Sequence, residues 1–279
     1  MTGRIPARVA GLASAMVAAA GVLAITAGVA NAAVVYDNLP SAPVKDLPSL
    51  GFQATATAQF GGEVAFGGTD RSSPTVIVEM SSWACQSGIG ASCKTTGGAT
   101  FSVPITLSVY NAGPEGSVGA PVGSVTETFA IPYRPSAKKS CPLNSAEDVQ
   151  GWGSECDYGK LHKIKFNLSG VTLPNEAIVA VSYNTETYGS APTGVEGPYN
   201  SLNVAVNASY TYNETTKEYE TDPVAPPSVG SDPLPEDVFI NSQRSGLYCG
   251  NVAATGSFGN SGACWHYEQP AIEVRASGH

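Results

Sequence analysis

From Val34 onward, apolar residues recur at every second position of the chain, not at every third or fourth. Ile105, Leu107 and Val109 share one face of 105–110. Val125, Phe129 and Ile131 share a face of 125–131, with Glu127 the polar exception, and Ile164, Phe166 and Leu168 alternate with Lys165 and Asn167. A period of two places the apolar side chains on one side of an extended strand. Residues 75–80, 202–206 and 272–274 read as strands in the same way. Residues 178–183 are apolar on both faces, as a central strand would be. Weaker strands are expected at 34–38, 52–60, 63–66 and 238–241. Asn111-Ala112-Gly113-Pro114, Leu168-Ser169-Gly170, Thr193-Gly194 and Glu196-Gly197-Pro198 supply turn chemistry between them. About eleven strands and no helical periodicity after residue 33 predict an all-β chain with no helix longer than about two turns. The expected fold is a single antiparallel β-sandwich of jelly-roll type with long disulfide-stapled loops, one domain over 33–279.

Two segments break the rhythm. Residues 133–161 carry Cys141, Cys156, Pro135 and Pro142 with little alternation, and read as a stapled excursion. Residues 219–236 are rich in proline and acid and read as an extended, solvated loop. Calcium, which wants clustered oxygen ligands, is the one cofactor such a loop leaves open, although no spaced calcium-loop pattern is present.

The N-terminus explains where the chain is expected to work. Arg4 and Arg8 precede an almost wholly apolar run over 9–29, which ends in Ala30-Asn31-Ala32. A basic start, an apolar core and small residues at the cleavage positions make residues 1–32 a secretory signal peptide. An uncleaved anchor is the rival reading, weakened by the many Ala and Gly residues of the run. No second apolar stretch follows, so no membrane span is expected after cleavage. The mature chain should be secreted, extracellular or loosely associated with a cell wall.

The six cysteines agree with export. An even count in a secreted chain favours disulfides over metal, and the cysteines fall into three local couples: Cys85–Cys93, Cys141–Cys156 and Cys249–Cys264. No couple has the short gap or neighbouring histidine pair of a zinc site, so no metal ligand is assigned. Removing the signal takes Arg4 and Arg8 with it and moves the formal net charge from −9 to −11. That balance argues against nucleic acid or anionic membrane as partner, since both need basic patches.

Candidate chemistry is sparse. No Gly-x-Ser-x-Gly elbow occurs after the signal, and the histidines are His162, His266 and His279. His162 reads as a solvated strand-edge residue, and His266, in Trp265-His266-Tyr267-Glu268, as structural. No catalytic residue is assigned. Aromatics offer more, because ring faces stack on the apolar faces of sugars while Asn and Asp read hydroxyls. Trp83 and Trp265 each lie within two residues of a cysteine and are expected to pack over disulfides. The best exposed-loop candidates for a ligand are Tyr183, Tyr188, Tyr199 and Asn200.

The order of elements resembles a known group. Tyr36-Asp37-Asn38-Leu39 follows the signal, then Ala58-Gln59-Phe60, then Ile105-Thr106-Leu107-Ser108-Val109-Tyr110 with its Asn111-Ala112-Gly113-Pro114 turn. Ile164-Lys165-Phe166-Asn167-Leu168 then leads to Val171-Thr172-Leu173-Pro174 and Ile178-Val179-Ala180-Val181-Ser182-Tyr183. Over roughly 34–185 this order is similar to the choice-of-anchor modules, exported bacterial β-sandwiches. The signal and the cysteine couples also look like those of secreted proteins from high-GC Gram-positive bacteria. The resemblance implies a surface or matrix protein with no assigned activity, and no sorting tail follows residue 276 to imply covalent anchoring. The expected function is a non-catalytic secreted or cell-surface module, adhesive or binding a cell-wall or extracellular glycan. A secreted hydrolase and a purely structural envelope protein are the alternatives.

Overall fold

A computed structural model describes residues 32–41, 44–144, 149–184, 197–199, 201–213, 218–222, 225–242, 257–261, 265 and 267–278. In chain order its strands are β1 Ala33–Asp37, β2 Ser49–Leu50, β3 Thr57–Ala65, β4 Ser72–Ser82, β5 Cys85–Gly88, β6 Thr100–Ala112 and β7 Val118–Pro132. Then come β8 Leu143–Asn144, β9 Val149–Gln150, β10 Lys160–Asn167, β11 Glu176–Ser182, β12 Gly197–Tyr199 and β13 Leu202–Asn207. The last are β14 Ser209–Asn213, β15 Glu218–Asp222, β16 Phe239–Ser242, β17 Gly259–Asn260, β18 Gln269–Pro270 and β19 Ile272–Ser277. Among the described residues the helices are one turn, Phe52–Thr55, and two short 3-10 turns. The expected strand at 52–60 therefore starts only at Thr57. The Ala56 backbone, in the left-handed region at φ 48°, ends the turn.

Two antiparallel sheets carry the structure. In the second, β17, β16, β3, β11, β6 and β7 lie side by side. The first is built around β4. On one edge, β10 pairs with it from Lys160 opposite Ser82 to Asn167 opposite Thr75. The other edge is shared end to end, with β19 covering Ser72 to Val78 and β13 covering Met80 to Ser82. Ala271, fully buried, sits in the fork: it donates to the Ala205 carbonyl at 2.9 Å and accepts from the Glu79 N–H at 2.9 Å. β1 lies outside β19, and β2 lies outside β13.

The alternation seen in the sequence directs side chains into one apolar core shared by both sheets. Val76, Val78 and Met80 of β4 meet Val103, Ile105, Leu107 and Val109 of β6 and Val179 and Val181 of β11 in a single cluster. On β11, a strand with neighbours on both edges, Ile178 and Ala180 point the other way and are buried too. Their cross-strand partners Tyr110 and Gly61 share that outer face. Phe258 reaches over it, 5.6 Å from Tyr110 and 6.2 Å from Phe239 between ring centroids. Two-sided burial is why 178–183 lacks alternation.

Both disulfides within the described residues are local, Cys85–Cys93 with Cα atoms 5.9 Å apart and Cys141–Cys156 with 5.3 Å. Cys249 and Cys264 lie outside the described residues. Disulfides of this kind belong to an oxidising environment. No described helix is long and apolar enough to cross a membrane.

Two outcomes follow from this packing. A Cβ at Gly61 would lie 2.5 Å from the Val179 carbonyl oxygen and 2.6 Å from Ala180 Cβ. Gly61→Ala should therefore lower stability by about 1–3 kcal/mol, measured by urea unfolding. Reduction of the two local disulfides should remove roughly 3 kcal/mol each in the loop-entropy model while leaving the β signal in far-ultraviolet circular dichroism, because the shared core lies elsewhere.

Candidate functional site

The stapled excursion does not float free. Arg134, fully buried, donates from Nη1 to the Gln150 carbonyl at 2.9 Å and from Nη2 to the Gly90 carbonyl at 3.4 Å, joining the excursion to the first disulfide loop. Gln150 donates in turn from Nε2 to the Cys141 carbonyl at 2.8 Å. The excursion closes on itself through Trp152, whose backbone N–H donates to the Asp157 carbonyl at 2.8 Å. It then feeds directly into β10 at Lys160.

Where it rejoins the first sheet, polar and aromatic groups converge. Ser81 and Asn203 are cross-strand partners on β4 and β13, and Ser49 of β2 lies beyond Asn203. Trp83 donates its indole N–H to the Ser49 hydroxyl at 3.2 Å and the Ser81 hydroxyl at 3.1 Å. Its ring lies nearly parallel to that of Tyr158, with 9° between planes and 6.3 Å between centroids. That offset is within the range in which aromatic pairs attract. Trp152 donates from Nε1 to the Tyr158 carbonyl at 3.2 Å, and Lys160 Nζ lies 5.6 Å from its ring centroid. All three rings are half-buried, so each keeps part of its surface in water.

Asp46 ties this cluster together. Its carboxylate accepts the backbone N–H groups of Leu47 at 2.9 Å, Tyr158 at 2.9 Å and Gly159 at 3.2 Å. Burial pushes its carboxyl above the ordinary value; the three N–H donors pull it back, and nearby Asp157 adds to the rise. Gly159 is required by close approach, since a Cβ there would strike the Ser81 hydroxyl. Asn203 Oδ1 and Asp157 Oδ2 are buried without a hydrogen-bond partner beside the cluster.

The structure redistributes the residues picked from sequence. Tyr183 is a core residue, not a loop platform. Its ring stacks on Phe52 at 4.4 Å and 8°, its hydroxyl donates to the Leu202 carbonyl at 2.6 Å, and burial drives its pKa well up. It ends a strand enclosed on both sides, so neither ring face is open to a ligand. Tyr199 lies in β12 opposite Cys85. Tyr188 and Asn200 lie outside the described residues, as does His266. The Ser201 carbonyl accepts from the Trp83 backbone N–H at 2.8 Å. Trp83 itself was expected over a disulfide. The residue packed against Cys85 and Cys93 is Ala137, and the Trp83 ring lies on Tyr158. Trp265 packs against the main core. His162, on edge strand β10, is half-buried, and burial and Lys160 both lower its pKa.

Of the acidic stretch read as a solvated loop, 219–222 belong to β15, while most of 225–236 is exposed and its carboxylates are hydrogen-bonded. Asp232 accepts from the Leu234 N–H at 3.0 Å, Asp237 from Asn260 Nδ2 at 3.1 Å, and Glu236 from the Tyr267 hydroxyl at 3.0 Å. These carboxylates point to separate partners. Among the described residues no three His, Cys, Asp or Glu side chains come together as a metal site.

Sequence reasoning missed Asp46 and Tyr158. Nothing local marks the link between them: the backbone N–H groups of Tyr158 and Gly159 reach Asp46 from 112 and 113 residues away along the chain. Asp46→Ala would leave three backbone N–H groups without an acceptor, which should cost about 2 kcal/mol in thermal or urea unfolding. It should also hasten protease cleavage within 142–159, while an equal rate of cleavage would show that the excursion is held elsewhere.

No protein-family model, no curated protein and no solved structure matches the chain, so the residues themselves carry what is said of its function.

Proposed function

We propose that the chain is a non-catalytic extracellular or cell-surface module, a jelly-roll β-sandwich released by cleavage of the signal at 1–32, that binds cell-wall or extracellular glycan. The observation that carries this reading is the half-exposed cluster of Trp83, Tyr158 and Trp152 beside Ser49, Ser81, Asn203 and Asp46. Stacked rings offer apolar faces to the C–H face of a sugar, and the partly exposed Ser49 hydroxyl and Asp46 carboxylate beside them suit hydroxyl recognition, while Ser81 and Asn203 are buried and hold the rings in place. Trp83 follows the end of β4 and Tyr158 comes two residues before β10, and the excursion that carries Trp152 is pinned to both, so little order has to be gained on binding. The element order that resembles choice-of-anchor modules fits the surface-module part of this reading, and assigns no ligand.

The purified secreted protein on a glycan array should retain a defined set of polysaccharides. Trp152→Ala and Tyr158→Ala should each weaken that retention about tenfold or more, the usual size of an aromatic anchor's contribution, with the circular dichroism spectrum unchanged. An array with no retained glycan would reject the binding reading. A hydrolase screen showing turnover that survives repurification would reject the non-catalytic one.

A further inference from the structure

The acidic balance of the chain hides a corner of opposite sign. Between Glu79 and Glu115, and again between Glu127 and Glu147, the sequence has no acidic residue, yet it has Lys94, Arg134, Lys138 and Lys139. The fold brings these two stretches together. The Ala84 carbonyl accepts the Arg134 N–H at 3.0 Å, and the Cys93 carbonyl accepts the Ala137 N–H at 3.0 Å. Ser136 Oγ accepts the Thr95 N–H at 2.9 Å and donates to the Thr95 carbonyl at 3.2 Å. Lys94 and Lys138 each directly follow a member of the Cys93–Ala137 bond, and both are exposed, as is Lys139. None of these three lysines has an ion-pair partner among the described residues.

At this corner the surface is hollowed. Gln86, Ser87, Lys94, Thr95 and Thr96 line a cavity of about 380 Å³, within the range of sites that take a small ligand. The lining is held in place, since Ser87 and Lys94 exchange N–H···O bonds at 3.1 and 2.8 Å beside the Cys85–Cys93 disulfide. Gln86 Oε1 accepts the Thr96 N–H at 2.7 Å, which leaves the Gln86 amide NH₂ to donate. Thr95 Oγ1 is buried with no hydrogen-bond partner. Together with the Lys94 ammonium, the lining offers donors and no carboxylate, which suits a group that accepts and carries negative charge. The aromatic cluster is close by. Gln86 comes three residues after Trp83, no more than about 10 Å along an extended chain. Lys138 donates its N–H to the carbonyl of Gly151, next to Trp152, at 2.9 Å, and Lys160 Nζ lies 5.6 Å from the Trp152 ring centroid. The acids of the cluster are Asp46 and Asp157 beside Tyr158, and Glu155, which pairs with Lys45 at 3.6 Å.

We propose that the glycan bound here is anionic, a polysaccharide bearing phosphate or carboxylate groups. Its sugar rings lie on the aromatic cluster, and a charged substituent enters the cavity at Lys94, with Lys138 and Lys139 beside it. The proposal rests on the glycan reading above and adds the class of glycan. The net negative charge of the chain does not oppose it. At physiological salt, charges are screened beyond about 8 Å, so acids elsewhere on the surface weigh little against three unpaired lysines at the point of contact.

An array carrying neutral polysaccharides and their uronate-bearing and phosphodiester-bearing counterparts, probed with the full secreted protein, tests this. At least one charged form should be retained about tenfold or more better than its neutral counterpart at low salt, and the advantage should shrink as salt rises. The charged form retained better identifies the substituent. Lys94→Gln should cut the advantage about threefold, and Lys94→Gln with Lys138→Gln and Lys139→Gln about tenfold or more, with retention of neutral chains unchanged. Trp152→Ala should weaken charged and neutral chains alike. Equal retention of neutral and charged chains, or an advantage that survives the triple variant, overturns the proposal and leaves the glycan reading standing. Polyglutamate, an anion without sugar rings, retained as well as the charged glycans also overturns it, because charge alone would then be recognised. An array with no retained glycan overturns both.

Discussion

The backbone of β4 has to be hydrogen-bonded on both edges, above all from Val78 to Ser82, where every residue is buried. Buried N–H and C=O groups left unpaired cost about as much as the bond they lack. No single strand satisfies its second edge: β19 does so up to Val78, and β13 does so from Met80. Ala271 bridges the change, with Ala205 and Glu79 as its partners. Much of the first sheet depends on that fork. It sets β1 outside β19 and β2 outside β13, and it brings Ser49, Ser81 and Asn203 into one row under Trp83.

Fold class was readable wherever one strand face meets the core and the other meets water. Ile105, Leu107 and Val109 alternate with Thr106 and Ser108, and all three are fully buried. The reading failed where backbone geometry outweighs pattern. Residues 52–55 look extended by composition but form a turn that buries Phe52 against Phe60 and Tyr183. β3 carries Gly61-Gly62 in its middle, which reads as a break; the glycines are there because Ala180 and the Gln269 side chain come so close. The fork at Ala271 has no local signal at all.

The candidate site was legible only in part, for the same reason. Trp83 stood out in the sequence as an aromatic beside a cysteine, but its partners Tyr158, Ser49 and Ser81 did not. Asp46 acts through backbone N–H groups more than a hundred residues distant, and Tyr158 becomes significant only because the excursion folds back. Tyr183 shows the opposite error. Its neighbours Asn184 and Thr185 suggested an exposed loop, yet it continues a strand buried on both faces, and its hydroxyl finds the Leu202 carbonyl inside. A tyrosine at the end of such a strand fills the core with its ring and satisfies its one polar atom there.

The pairing of β1 with β19 has a mechanical meaning. The two strands run antiparallel, and Ala33 lies opposite Ala276 at one end of the ladder. A load applied through Ala33 and Ser277 therefore reaches both strands at the same end. It would peel their hydrogen bonds one rung after another, not shear the whole ladder at once. Resistance to stretching would then fall to the next barrier, the grip of β4 on β19 and the core beneath it. Tethered at these two points, the fold would lengthen in stages and give up its outermost strand first.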